Sequence, residues 1–161
     1  MSAPTTAQRR ALRFNSINEL IAEIDRIVAA DAAGRIRRTG NWTAGQAMNH
    51  LGSWIEYGYE GFPFPPPPWF VRIILRFMKN KYLRQGMPSG VRIPGAAEGT
   101  YATEPMSAVD AAAKLKKALG RLQRGEAPRF DSPAFGKLTE DERIALQLRH
   151  AELHLSFLHP E

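Results

Sequence analysis

The chain has 161 residues, 43% of them hydrophobic, which suffices for one domain with a real core and is short for two. It contains no cysteine, which excludes disulfides, thiolate zinc sites and a cysteine nucleophile; any metal must take histidine, carboxylate, carbonyl or water ligands. The net charge of +6 permits attraction to nucleic acid or anionic lipid, but the basic residues are scattered beside no nucleic-acid-binding motif, so a solvated basic surface is expected.

At the N-terminus, "MSAPTTAQRRALRF" carries adjacent arginines with no apolar stretch after them, so no export signal is read there. The chain is expected to be cytoplasmic, with residues 1–12 a flexible tail and 13–161 a single domain. The first helix opens at "NSINEL", where Ser16 and Glu19 form an S-x-x-E capping box. Ile17, Leu20, Ile21, Ile24, Ile27 and Val28 recur at helical spacing up to Gly34. The second helix opens at "NWTAGQ", with Thr43 and Gln46 as its box, and Ala47, Met48, Leu51, Trp54 and Ile55 as its apolar face; Gly61 stops it.

"FPFPPPP", residues 62–68, forbids a helix and favours an extended polyproline segment. It reads as a stiff connector, or as a proline-motif ligand for a partner domain; the connector is favoured. "WFVRIILRFMKNKYLRQG" reads as a basic amphipathic helix, with Trp69, Phe70, Ile73, Ile74 and Phe77 on one side and Arg72, Arg76, Lys79 and Arg84 elsewhere. Membrane-surface binding is one reading. Packing of the apolar side against the rest of the domain is the favoured one, and no membrane partner is expected. A glycine- and proline-rich loop runs to about Pro105.

"SAVDAAAKLKKALGRLQRG" is the next helix, starting at Ser107 and Asp110, with Val109, Ala112, Leu115, Leu119 and Leu122 as its seam. Thr139 and Glu142 box the start of the last helix. No strand alternates convincingly. Four principal helices with one inserted helix make the chain all-α, and a four-helix bundle with a long crossover is the natural architecture.

Three of the four histidines fall in the closing "LRHAELHLSFLHPE". At roughly 100° per residue, His150 and His154 lie together within a broad apolar arc. The opposite arc, with Glu142, Arg149, Glu152 and Ser156, is expected to be the solvated stripe. Residues i and i+4 can present two nitrogens to one ion. Ala151 stands where a zinc protease needs glutamate, so that reading fails. The remaining candidate third ligand is His50, at the edge of the second helix's apolar face. Three neutral histidines would hold a divalent metal with positions left open; core histidines bonded to neighbouring groups are the alternative. Trp54, Tyr57 and Trp69 are candidate pocket residues. His159, next to Pro160 at the chain's end, is expected to be exposed and without function. No general base stands out beyond Asp131 as a candidate.

A histidine late in the second helix, a crossover, and H-x-x-x-H on the last helix resemble the DinB/YfiT-like superfamily. "NWTAGQAMNHLGSWIEYGYEGFP", "MPSG", "SPAFGKLT" and "RHAELHLSFLHP" are similar to one branch of it without assigned activity. The resemblance covers residues 13–161. It implies an up-down-down-up four-helix bundle, often a homodimer, with an extra helix between helices 2 and 3. It implies a divalent metal, commonly nickel or zinc, held by His50, His150 and His154. Some relatives are transferases or isomerases that use a low-molecular-weight thiol. The branch often carries histidine where Leu153 or Ser132 stands here. The expected function is a metal-dependent transferase or hydrolase acting on a small molecule; the alternative is a non-catalytic ligand- or partner-binding bundle. Nucleic acid is not an expected partner.

Overall fold

The computed structural model describes residues 8–161. Five helices, α1 (Ile17–Ala32), α2 (Ala44–Glu60), α3 (Trp69–Gln85), α4 (Ala108–Gln123) and α5 (Glu140–Leu155), account for most of them. Two three-residue strands, β1 (Ile36–Arg38) and β2 (Leu158–Pro160), complete the elements. The fold is therefore mostly helical, as expected. The first seven residues of the expected flexible tail lie outside the described residues.

Local chemistry sets the helix ends. Thr43 and Thr139 accept from the backbone N–H groups of Gln46 and Glu142, whose side chains reach back to the cap residues, so both capping boxes close. At α1 only half the box forms: Ser16 accepts from the Glu19 N–H, but Glu19 Oε2 takes the Asn15 N–H instead, at 2.8 Å.

α1, α2, α4 and α5 all pack on one another, and α3 lies outside them against α5. Their core is the row Leu20, Ile24 and Ile27 from α1, Met48 and Leu51 from α2, Leu115 and Leu119 from α4, and Leu148 and Leu155 from α5. The α2–α4 crossing is close because two glycines sit in it. A Cβ on Gly52 would lie 3.3 Å from the Leu115 backbone, and one on Gly45 would lie 1.8 Å from the Met106 carbonyl oxygen.

Four expectations need correction. The apolar side of α3 does not pack on the domain: no α3 residue is buried, and Phe77 is 86% exposed. Its other side takes the contacts with α5, helped by a Lys79–Glu142 ion pair at 2.7 Å. Val109, placed in the α4 seam, points to solvent because, at roughly 100° per residue, it lies off the arc of the buried Ala108, Ala112, Leu115, Leu119 and Leu122.

The polar arc of α5 is not a solvated stripe. Arg149, Glu152 and Ser156 are buried beneath residues 9–14. The Phe14 N–H donates to Glu152 Oε1 at 2.7 Å, Arg149 donates to the Phe14 carbonyl at 2.5 Å, and the Arg10 N–H donates to the Ser156 carbonyl at 2.8 Å. Buried polar groups need such partners, and here an extended backbone supplies them.

Nor is His159 an exposed residue at a loose end. It is half-buried in β2, paired antiparallel with Arg37 of β1. Arg37 donates toward its Nδ1 at 3.1 Å, which leaves Nε2 to donate to the Gln8 carbonyl at 3.1 Å. The two strands tie the end of α5 to the α1–α2 connection.

Candidate metal centre

His50 comes from the middle of α2, and His150 and His154 from successive turns of α5. The structure brings all three together, with one ring nitrogen of each within 4.8 Å of the others. His150 Nε2 lies 3.1 Å from His50 Nε2 and 3.1 Å from His154 Nε2. His50 is buried and the other two are half-buried.

The tautomer of His50 follows from its surroundings. Its Nδ1 lies 2.8 Å from the Tyr101 carbonyl oxygen, which can only accept. The proton therefore sits on Nδ1, and the Nε2 lone pair faces the other histidines. This is the backbone bond that orients a metal-ligating imidazole. The carbonyl is aimed by an unusual turn: Ala102 has φ of 60°, a left-handed conformation that costs a residue with a Cβ roughly 1–2 kcal/mol.

All three imidazoles are held neutral. Burial pushes His50 down to about 4, against which the Tyr101 bond acts weakly. Burial also lowers His150 and His154 well below the ordinary value, helped by repulsion from the neighbouring histidines. Neutral rings cannot satisfy one another here. A proton on His150 Nε2 can point at His50 or at His154, not both, so one nitrogen pair is left facing without a hydrogen. A cation among the three lone pairs removes that conflict, and three imidazoles suit zinc, nickel or copper. The donor set fits a divalent metal.

An aromatic wall surrounds the triad. Trp42 stacks on His154 with ring centroids 4.9 Å apart and also touches His50. Trp54 lies 5.6 Å from His50 and 5.7 Å from His150. Tyr57 and Phe64 pack on Trp54, and Tyr101 stacks on Phe64. Tyr57 keeps its proton: burial raises its pKa, and Glu104 and Glu56 add to the effect. Trp69 is not brought into this cluster. It lies on exposed α3, with Phe70 as its aromatic neighbour. Asp131 stays exposed on the loop before α5.

Sequence reasoning missed Trp42, Phe64 and Tyr101. Trp42 had a signal, since it stands directly before a capping box, the position from which an apolar side chain folds back over the helix. Tyr101 contributes a backbone carbonyl, which no side-chain pattern advertises. A separate open groove lies between Arg13, Leu83, Arg84, Asp141 and Arg149.

A family model described as "Protein of unknown function (DUF1569)" matches residues 6–161. Comparison with curated proteins and with solved structures finds no match.

Proposed function

The chain belongs to the DUF1569 family, and from that premise we propose that it is a metal-dependent enzyme of DinB-like type, a transferase or hydrolase acting on a small molecule. The observation that carries this is the convergence of His50, His150 and His154 nitrogens, with the His50 tautomer fixed by Tyr101. The four mutually packed helices, and the placing of one histidine on α2 and two on α5, support the DinB-like reading. Zinc or nickel is the proposed ion.

When bound, such an ion supplies Lewis-acid activation of a water or of a low-molecular-weight thiol. The chain's own residues do the rest. The three rings offer lone pairs and no protons. Trp42, Trp54 and Phe64 exclude water from one side and offer apolar surface to a ligand. Tyr57, held protonated, is a hydrogen-bond donor at the edge of that wall.

Elemental analysis of the purified protein tests the site. About one equivalent of zinc or nickel is expected in the wild type, and His154→Ala should lower affinity roughly 100-fold or more, since even a residue one step removed from a metal is worth 10–100-fold. No metal in the wild type, or equal metal in both proteins, would overturn the proposal. Thiol-transfer and hydrolysis screens follow with the identified ion. A non-catalytic, partner-binding bundle is the second reading, favoured by the uncovered apolar face of α3.

A further inference from the structure

α3 departs from the other helices in having two apolar sides. Val71, Leu75, Met78, Tyr82 and Leu83 are half-buried on the side that meets α5. At roughly 100° per residue, Trp69, Phe70, Ile73, Ile74 and Phe77 fall on the opposite arc, and all five are exposed. Further along, the same arc carries Lys81 and Arg84, both exposed, while Arg76 stands at its edge. The helix holds Arg72, Arg76, Lys79, Lys81 and Arg84 and no acidic residue. Among the described residues, Lys79 is the α3 cation paired with a carboxylate.

We propose that this outer face of α3 docks on an anionic membrane surface. The helix would lie in the plane of the interface, with Ile74 and Phe77 at the headgroup–acyl boundary and Lys81 and Arg84 against lipid phosphates. Charge selects the occupant. A second copy meeting this face through a two-fold axis would set one all-basic helix against another. A neutral apolar partner would leave the cations unmatched. An anionic bilayer takes both parts at once, the large apolar side chains by burial and the flanking cations by attraction to headgroups. The helix lies on the membrane rather than across it, since no helix among the described residues is long and apolar enough to span one. The inference is independent of the metal centre.

Co-sedimentation of the full chain with vesicles tests it. Wild type should pellet with vesicles of equal phosphatidylglycerol and phosphatidylcholine, several-fold less with phosphatidylcholine alone, and progressively less as salt rises. An Ile74→Asp/Phe77→Asp variant should stay in the supernatant. Lys81→Gln and Arg84→Gln should each lower vesicle affinity on the order of fivefold. These side chains are exposed, so the variants should fold, and unchanged circular dichroism would confirm it. Three results would overturn the proposal. Wild type could remain free of anionic vesicles, the face variants could bind as wild type does, or sedimentation velocity could show a dimer that Phe77→Asp separates without any vesicle binding. The last would assign the face to a second copy.

Discussion

His50 has both ring nitrogens committed inside the protein, one to the Tyr101 carbonyl and one to the triad. That arrangement has a measurable pH signature. Burial holds its folded pKa at about 4, against about 6.5 in an unfolded chain. Between those values the unfolded chain takes up a proton that the folded one refuses. Stability is therefore fully present above pH 6.5 and is lost as pH falls toward 4, by on the order of 3 kcal/mol from this residue. His150 and His154 shift in the same direction. Glu152, raised by burial, acts in the opposite sense, so the informative measurement is a difference. Urea midpoints of the metal-free protein, measured from pH 7 to 4, should fall more steeply than those of His50→Gln. Parallel curves would show that His50 is not a buried neutral imidazole. The pairing of His150 with His154 was legible from helical angle alone, because both sit within one apolar arc of a single helix. The third histidine of the cluster was legible only by elimination, since sequence does not state which face of α2 meets α5.

Helix starts and stops were the most legible elements, because capping is local chemistry. Thr43 with Gln46 and Thr139 with Glu142 each announce a helix within four residues. What surrounds a helix is not local, and there the reading failed. Arg149, Glu152 and Ser156 look like a solvated stripe until residues 9–14 are laid over them. Phe77 and Ile74 look like core until α3 is found to turn its other side to α5. The β1–β2 pair escaped notice because three residues are too few to show alternation. Close packing between elements is also readable in retrospect, in the glycines of α2. Gly45 lies where α2 meets the segment leading into α4, and a Cβ there would come within 1.8 Å of the Met106 carbonyl. A backbone atom cannot step aside as a side-chain tip does. Gly45→Ala should therefore cost about 3 kcal/mol, lowering Tm by on the order of 10 °C for a chain of this length. Gly58→Ala, on the same helix with open space around it, should be neutral or slightly stabilising. Equal melting temperatures for the two variants would contradict the α2–α4 approach described here.

The candidate metal centre draws its parts from distant stretches of the chain: His50 from α2, the Tyr101 carbonyl from the long loop, and His150 and His154 from α5. The β1–β2 pair adds a fourth, since it joins the end of α5 to the connection that carries Trp42 onto His154. None of these converge in an unfolded chain, so an ion held here binds the folded state almost exclusively, and its binding free energy adds to folding stability. At an ion concentration 100 times the dissociation constant, the gain is about 2.7 kcal/mol, which for this chain length raises Tm by roughly 5–11 °C. Chelation should reverse the rise. His154→Ala should show no rise, because two imidazoles rarely make a durable site. Phe77→Asp should show the full rise, because α3 stands outside the helices that bear the histidines. A thermal-shift series over these three proteins, with zinc and nickel in turn, separates a site built by the fold from loose binding to surface histidines. An equal shift in wild type and His154→Ala would place the ion elsewhere, whereas loss of the shift in Phe77→Asp would mean that α3 is coupled to the triad after all.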